Sequence, residues 1–345
     1  MQNKNYIPKE RSKPSIDALT KGILKGDFTA LSRGITLCES KKDSDRKLAA
    51  DLVKACLPHS GNSIRVGITG VPGVGKSTFI EVFGLYLIEQ QKKKVAVLAV
   101  DPTSSKSKGS ILGDKTRMEK LSTHPQAFIR PSPTSGSLGG VAQHSRESII
   151  LCEAAGFDFI LVETVGVGQS ETEVKEMTDF FLLLMLAGAG DELQGIKRGI
   201  MEMADGMLIN KADGDNLQAA KNARREYQNA LHLFPQSKSG WSPKVAICSA
   251  LKNSNMDGAW KLIDDYRTQT KSNGFFDAQR KQQLKSWFLK SIDELLHRSL
   301  FKSSGIKNIL STLEKQVVEK QISPSEAAEK VFEEFKGNLK INRND

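Results

Sequence analysis

Residues 64–77, Ile64-Arg-Val-Gly-Ile-Thr-Gly-Val-Pro-Gly-Val-Gly-Lys-Ser77, join an apolar run to a glycine-rich loop that ends in lysine and serine. The apolar run predicts a buried strand, and the apolar spacing from Thr78 to Gln90 predicts a helix. The loop fits the pattern Gly-x4-Gly-Lys-[Ser/Thr], in the strand–loop–helix setting that this pattern requires. A glycine-rich turn without a ligand is the alternative, and the setting favours a site for nucleotide phosphates.

The chemistry of this loop suits a nucleoside triphosphate. Glycines allow several backbone N–H groups to converge on phosphate oxygens, and a helix N-terminus favours negative charge. Lys76 is expected to reach the β- and γ-phosphates, and the Ser77 hydroxyl is expected to bind Mg²⁺. The residues predicted to hold the phosphates are Gly70, Val71, Pro72, Gly73, Val74, Gly75, Lys76, Ser77 and Thr78.

The composition is that of an ordinary globular protein, with 345 residues, 39% of them hydrophobic and 26% charged. No apolar run approaches the roughly 18 residues of a membrane span, and the first residues lack the apolar core of a signal peptide. We therefore expect a cytoplasmic protein without a membrane partner. The 4 cysteines are scattered and fit reduced, buried thiols. The net charge of +10 is spread along the chain, so no nucleic-acid partner is expected.

Strand and helix patterns alternate from Ile64 onward, which predicts a doubly wound, mostly parallel α/β sheet. Further strands are predicted at Val95–Val100, Ala127–Arg130, Phe157–Val162, Phe180–Leu186, Gly206–Ile209 and Val245–Cys248. The flanking segments have helical periodicity. We expect an N-terminal helical extension (1–60), a phosphate-loop nucleotide-binding domain (61–272) and a C-terminal helical arm (273–345).

Asn210-Lys-Ala-Asp213 follows a predicted strand, where such a tetrapeptide can select guanine. The Asp213 carboxylate can accept hydrogen bonds from the N1–H and the exocyclic amine of guanine, a donor pair that adenine lacks. Lys211 can lie along the base, and Asn210 is expected to brace the surrounding loops. Backbone N–H groups of Ser249, Ala250 and Leu251, at the end of the next strand, are expected to hold guanine O6. The triphosphate is therefore predicted to be GTP.

Two acidic segments follow other strands. Glu163 ends the strand at 157–162 and can hold Mg²⁺ directly or through water, while the Gly166 N–H can meet the γ-phosphate. Val167 stands where Ras-like GTPases carry a water-orienting glutamine, so slow intrinsic hydrolysis is expected. Asp101 and Asp114 lie in a polar stretch where a first switch loop is expected, and each can approach Mg²⁺ or cap a helix.

Several of these segments resemble one family, the GTPase chaperones of methylmalonyl-CoA mutase known as MeaB in bacteria and MMAA in animals, some of them labelled ArgK. The resemblance depends on residues 70–78, on Asp101-Pro-Thr, on Gly109-Ser-Ile-Leu-Gly-Asp-Lys-Thr-Arg-Met118 and on Val162-Glu-Thr-Val-Gly-Val-Gly-Gln-Ser-Glu171. It also depends on Ala187-Gly-Ala-Gly-Asp-Glu-Leu-Gln-Gly-Ile-Lys-Arg-Gly199 and on residues 210–213.

The resemblance implies a GTPase that gates delivery of adenosylcobalamin to a B12-dependent acyl-CoA mutase and protects that mutase. By similarity, Ser77, Asp101, Asp114 and Glu163 surround Mg²⁺. Asp191 and Lys197 belong by similarity to a third switch loop that couples the partner to hydrolysis, and a lysine at the γ-phosphate offsets the missing glutamine. The implied partners are the mutase, its adenosyltransferase and a second copy of the chain, bound through the C-terminal arm.

Three other functions remain open at this stage. A metallochaperone GTPase would need cysteine and histidine at ligand spacing, and the 5 histidines are isolated. A protein-targeting GTPase would need a methionine-rich domain, and the whole chain has 8 methionines. A transport-associated (LAO/AO) kinase conflicts with the guanine tetrapeptide and lacks an Asp-x4-Asn catalytic loop.

Overall fold

A computed structural model describes residues 15–100, 118–131, 138–164, 170–188, 198–235, 237–302 and 304–341. The chain divides into two compact units, Met1–Lys281 and Gln282–Asp345. The boundary between the units lies inside one long helix, α11, which runs over Phe275–Lys302. The domain limits expected from the sequence, 1–60, 61–272 and 273–345, stay a prediction.

The first unit is built on a seven-stranded sheet with the order β3-β2-β4-β1-β5-β6-β7, and all its pairings are parallel. The strands are β1 (Ile64–Gly70), β2 (Val95–Val100), β3 (Ala127–Arg130), β4 (Phe159–Thr164), β5 (Phe180–Leu186), β6 (Gly206–Asn210) and β7 (Lys244–Ile247). The predicted parallel α/β sheet is confirmed. Its central strands are buried along almost their whole length, which explains their continuous apolar sequences.

Helices surround this sheet and extend the chain at both ends. They are α1 (Ile16–Leu24), α2 (Phe28–Cys38), α3 (Asp43–Cys56), α4 (Lys76–Glu89), α5 (Glu119–Ser122), α6 (Leu138–Ala154), α7 (Ser170–Lys175), α8 (Arg198–Met203), α9 (Leu217–Leu231), α10 (Met256–Ser272), α11, α12 (Ser304–Val318) and α13 (Pro324–Ile341). Helices α1–α3 pack against one another and against α6, while α4 packs on β1 and β2. In the described part of the chain, no helix is long and apolar enough to cross a membrane.

Strand β4 begins two residues later than its apolar pattern predicts. Phe157 precedes the strand and packs with the rings of Phe28 and Phe128, at centroid distances of 5.8 and 6.1 Å. The apolar pattern could not show that Phe157 lies outside the strand, because an aromatic residue that packs beside the sheet is as apolar as one within a strand. The shift carries the end of β4 to Thr164, so that Glu163 lies within the sheet.

A buried ion pair joins α6 to the entrance of β1. The Arg65 guanidinium donates to both carboxylate oxygens of Glu153, each at 2.9 Å. The same carboxylate accepts hydrogen bonds from the Gly61 N–H and the Ser63 hydroxyl, at 2.8 and 2.6 Å. Burial alone raises the pKa of Glu153, but the charge of Arg65 and the hydrogen bonds from Arg65 and Ser63 hold that pKa below its ordinary value. Glu153 therefore stays ionised inside the protein.

Replacing Glu153 by Gln should lower the free energy of unfolding by roughly 3–5 kcal/mol, because it leaves Arg65, whose side chain is only 16% exposed, without its counter-charge. Urea unfolding at pH 7 measures this loss. The exposed pair Arg46–Asp43 provides a control, and Asp43→Asn should cost under about 1 kcal/mol.

The effect should also depend on pH. Because the pKa of Glu153 is depressed in the folded protein, its contribution is complete above the ordinary value of 4.5 and is lost as the pH falls through the folded value. The difference in stability between the wild type and Glu153→Gln should therefore shrink in acid below that value. A difference that is constant from pH 7 to pH 3 would contradict this account.

Candidate nucleotide site

The glycine-rich loop joins the end of β1 to the start of α4. Gly73 and Gly75 have φ values of +75° and +87°, a backbone conformation that side chains with a Cβ rarely adopt. Gly70 is constrained differently, because a Cβ there would lie 2.5 Å from the Leu184 carbonyl oxygen of β5. Two requirements, backbone conformation and close strand packing, therefore explain the glycines of this segment.

Helix α4 begins at Lys76, two residues before the start that its apolar spacing predicts. Gly75 precedes it in the left-handed conformation, and no side chain among the described residues caps the first turn. Its first backbone N–H groups are therefore left for another acceptor. A phosphate is the acceptor that such a helix end favours, since the helix dipole is positive there.

Lys76 lies folded back against the loop. Its ammonium donates a hydrogen bond to the Gly70 carbonyl, with an Nζ–O distance of 3.0 Å. Burial lowers the pKa of Lys76, while the negative charges of Glu163 and Glu171 act to raise it. The sequence did not single out Glu171, a completely buried carboxylate in α7. In the sequence, Glu171 stands out only as the last residue of the segment 162–171, because the spacing of apolar residues says nothing about the role of a single acidic one.

The side chains of Ser77, in the first turn of α4, and Glu163, in β4, are hydrogen-bonded to each other. The Ser77 hydroxyl donates to Glu163 Oε1 at 3.2 Å, and the Glu163 side chain is buried. A hydroxyl and a carboxylate are oxygen ligands of the kind that Mg²⁺ prefers, and this ion usually adds phosphate oxygens and water. The pair therefore fits such an ion. Within the described ranges, no group of three or more His, Cys, Asp or Glu side chains is placed so that it could hold a metal ion.

Asn210 connects three segments at the end of β6. Its Nδ2 donates to the Val74 carbonyl at 2.8 Å, which ties it to the phosphate loop. Its Oδ1 accepts from the Ala250 N–H at 3.1 Å, beyond the end of β7. The side chain is 2% exposed. This buried amide therefore holds the phosphate loop and the loop after β7 at a fixed separation.

Asp213 and Ser249 form a second contact, which joins the turn after β6 to the loop after β7. The Ser249 hydroxyl donates to the Asp213 carboxylate and accepts from the Lys252 N–H at 3.1 Å. Lys211 has a left-handed φ of +58°, and its carbonyl accepts from Asn216 Nδ2 at 2.7 Å. These bonds shape the turn after β6 and hold the Asp213 carboxylate beside Ser249. Leu251 is 77% exposed at the same edge.

The structure thus brings most of the predicted site residues to the carboxyl edge of the sheet. The phosphate loop, Ser77 and the loops at 210–213 and 249–251 lie at the carboxyl ends of parallel strands, and Glu163 is the next-to-last residue of β4. Asp101, Asp114, Gly166, Asp191 and Lys197 lie outside the described residues. The roles assigned to all these residues remain predictions.

Replacing Asn210 by Ala should weaken GTP binding by roughly 10- to 100-fold, since it leaves buried groups of the phosphate loop and of the loop after β7 without their partner. Isothermal titration of the nucleotide measures the loss. Asn222→Ala is the matched control, because Asn222 is an exposed residue of α9 that pairs only with Gln218 among the described residues. Binding by Asn210→Ala within two-fold of the control would contradict the bracing role.

Comparison with known proteins identifies the family. A family model described as methylmalonyl Co-A mutase-associated GTPase MeaB matches residues 31–304. GTPase ArgK of Escherichia coli (strain K12) is 48% identical over 279 residues, which cover 81% of this chain and 84% of that protein. The methylmalonic aciduria type A homolog of Mus musculus, a mitochondrial protein, is 43% identical over 331 residues, with coverages of 93% and 80%.

A solved structure extends this similarity to three dimensions. The crystal structure of a LAO/AO transport system kinase superposes with a TM-score of 0.74 at 37% identity, covering 94% of this chain and 98% of that one. The family model spans the whole sheet and both sides of the site described above. The chain belongs to the MeaB family of methylmalonyl-CoA mutase-associated GTPases, and it is a GTPase.

Proposed function

We propose that this GTPase hydrolyses GTP to GDP and phosphate with Mg²⁺, and that it serves as a chaperone for a B12-dependent acyl-CoA mutase of the methylmalonyl-CoA mutase type. In this proposal the nucleotide cycle gates delivery of adenosylcobalamin and protects the mutase. The observation that carries it is the Asn210 side chain, which joins the phosphate loop to the loop after β7 in one buried contact. The family to which the chain belongs supplies the identity of the client.

The described residues support the nucleotide part of this proposal through their geometry. The uncapped start of α4 and the glycine loop offer N–H groups to the phosphates, and Lys76, which bonds to the Gly70 carbonyl of that loop, would exchange this bond for one to a phosphate. The Asp213 carboxylate, aligned by Ser249, can accept the two donors of guanine. An adenine base offers that carboxylate no such pair of donors, which disfavours ATP.

Ser77 and Glu163 are the described residues that would hold Mg²⁺, with Asp101 and Asp114 proposed beside them. When bound, the ion would neutralise charge that develops on the phosphate oxygens. Glu163 accepts a hydrogen bond from the Ser77 hydroxyl without any ion between them, so the two proposed ligands are already oriented toward each other. This preorganisation lowers the cost of ordering them around an ion.

We propose slow hydrolysis by the chain alone and faster hydrolysis with its partner. Val167 cannot orient a water as a glutamine would, and Gly166 is proposed only to donate its N–H to the γ-phosphate. Asp191 and Lys197 are proposed to complete the site when the mutase binds, with the lysine stabilising the charge of the transition state. The partner would thereby control when the gate opens.

A homodimer is the second proposed association, with the adenosyltransferase as a further partner. Within the second unit, α11 carries large apolar side chains that are exposed in the single chain: Leu284, Phe288, Leu289, Ile292, Leu295 and Leu296. Contiguous exposed apolar residues are unusual on monomeric proteins and mark association surfaces. A second copy of the chain is the proposed occupant.

Replacing Asp213 by Asn should reduce GTP affinity by about 100-fold or more, because an amide cannot accept both guanine donors. It should also raise affinity for xanthosine triphosphate, whose base carries a carbonyl where guanine carries its amine, so that the Asn amide can donate to it. Competition binding with a fluorescent nucleotide checks both shifts. Unchanged preference for GTP over the xanthosine nucleotide would remove Asp213 from the base site.

The client is tested by affinity capture with the purified chain loaded with GTP, with GDP or with no nucleotide, against a purified B12-dependent methylmalonyl-CoA mutase. We expect nucleotide-dependent retention of the mutase. Asp213→Asn provides an internal control, since retention should then follow xanthosine nucleotides instead. Equal absence of the mutase from all three arms would refute the chaperone proposal while leaving the GTPase intact.

The solved relative named a transport system kinase raises one other function for this chain. A kinase would transfer phosphate from ATP to a protein faster than it hydrolyses GTP. The guanine-side contacts of Asp213 and Ser249 favour the GTPase function. Radiolabelled ATP and GTP, offered in parallel, separate the two activities.

A further inference from the structure

A groove lies at one lateral edge of the sheet, between strand β3 and helix α2. Its volume is about 580 Å³, a size at which clefts hold ligands. We call it the β3 groove, and it is lined by Phe28, Thr29, Ser32 and Arg33 of α2, by Ser122 and by residues 127–131. The whole groove belongs to the first unit, and none of its residues is part of the nucleotide site.

Strand β3 is the last strand on its side of the sheet, so one of its edges has no neighbouring strand among the described residues. The pairing with β2 shows which backbone groups face that outer edge. The Val95 N–H of β2 donates to the Gln126 carbonyl at 3.0 Å. Because successive residues of a strand direct their N–H and C=O groups to alternate sides, Ala127 and Ile129 face outward. In the described part of the chain, no residue bonds to the N–H or the carbonyl of Ile129.

Two side chains of β3 fix the position of α2 beside this edge. The Phe128 ring packs edge-to-face on Phe28, with a centroid distance of 5.8 Å. Arg130 donates from Nε to Glu39 Oε1 at 3.1 Å and from Nη2 to the Thr36 hydroxyl at 3.2 Å. Phe28 is still 36% exposed, so that it gives the β3 groove an aromatic wall. The groove is therefore a built feature of the packing of α2 on β3.

The β3 groove is positively charged. Among the described residues, no Asp or Glu lines it, and Arg33 is exposed and forms no ion pair. The carboxylates at the two ends of α2 are both engaged. Asp27 accepts the Thr29 N–H at 2.7 Å at the start of the helix, and Glu39 is paired with Arg130 at its end. Arg33 is therefore left for an acidic ligand, which its planar guanidinium can bind through two parallel hydrogen bonds.

We propose that the β3 groove binds an extended, acidic segment of a partner protein, which adds to the outer edge of β3 as a further strand. The backbone of that segment would bond to the Ile129 N–H and carbonyl and to the Ala127 carbonyl, while alternate side chains enter the groove. One carboxylate would pair with Arg33, and an apolar side chain would pack on Phe28. Because β3 has four residues and is followed by Pro131, which has no N–H, the added strand is short and depends on this charge for part of its affinity.

A second copy of the chain fits this edge less well than an acidic segment does. Pairing of two β3 edges would bring two positively charged grooves together, and like charges across an interface are unfavourable. An acidic segment brings the opposite charge to the same edge. The occupant is therefore a partner of opposite charge.

The test uses the full-length chain and a capped peptide of sequence Glu-Val-Glu-Val-Glu-Val, with Thr-Val-Thr-Val-Thr-Val as its neutral match. NMR titration at low ionic strength, observed on the peptide, gives the dissociation constant of each. We expect saturable binding of the acidic peptide and binding of the neutral peptide that is weaker by at least about five-fold. The acidic peptide should also slow hydrogen exchange of the Ile129 amide, because strand addition gives that N–H an acceptor.

Two variants separate the charge from the strand edge. Arg33→Gln should weaken binding of the acidic peptide to the level of the neutral one. Arg225→Gln is its matched control, since Arg225 is an exposed arginine of α9 without an ion pair to a described residue, and it should bind the peptide as the wild type does.

Ile129→Pro removes the outward N–H without touching the bonds to β2, and it should weaken both peptides by at least about ten-fold. If this variant does not fold, the exchange of the Ile129 amide in the wild type tests strand addition in its place. Each folded variant should bind GTP as the wild type does, which confirms that the sheet is intact.

Three results would overturn the inference. The first is no saturable binding of the acidic peptide, or equal binding of the acidic and neutral peptides. The second is an equal loss in Arg33→Gln and Arg225→Gln, which would indicate unspecific attraction to a basic protein. The third is binding that needs Arg33 but neither slows exchange of the Ile129 amide nor responds to Ile129→Pro, which would indicate an anion site on α2 in place of strand addition. All three would leave the proposed GTPase and chaperone functions standing, since the β3 groove shares no residue with the nucleotide site.

Discussion

The parallel pairing of β1 with its two neighbours is the constraint on which the site depends. Its register with β4 sets Ile68 beside Glu163, so that Ser77 can bond to that carboxylate after the loop turns. Its register with β5 sets Gly70 against Leu184, which only glycine permits. Every strand ends at the same edge, so loops far apart in sequence converge there. The hydrogen-bond ladder of the central strand therefore determines where each site residue lies.

Hydrogen bonds of Asn210, Ser77 and Ser249 hold the site together at the nucleotide edge, and pairs of opposite charges hold the opposite edge. Asn210, Ser249 and the glycine loop leave their remaining capacity for a ligand. At the other edge Arg65, Glu153, Asp179 and Arg280 satisfy one another, and breaking any of these pairs leaves a buried charge. These charged pairs join the start of the sheet to α6 and to the start of α11.

Local patterns predicted much of this architecture. The predicted bounds of β2, β3 and β5 coincide with the strands. For β2 and β5 this is because a buried parallel strand is continuously apolar, whereas β3 is a half-buried edge strand. The glycine spacing predicted the phosphate loop, and the tetrapeptide 210–213 predicted the loop after β6; the structure places these two loops in contact through Asn210 and Val74. Helix α4 begins earlier than its periodicity indicates, because Gly75 allows a left-handed turn directly before Lys76. The contacts of Arg280 and Glu153 could not be predicted, since they join residues 88 to 219 positions apart and leave no periodic signal.

The central proposal is that a partner controls hydrolysis at a site where Val167 is predicted to stand in place of a water-orienting glutamine. Single-turnover hydrolysis of GTP, measured with and without saturating B12-dependent methylmalonyl-CoA mutase, tests this claim most directly. The account predicts slow hydrolysis by the chain alone and an acceleration of at least about ten-fold with the mutase, since a lysine brought to the γ-phosphate stabilises the charge of the transition state. A rate that stays within two-fold on addition of the mutase, or a fast rate without it, would contradict the account.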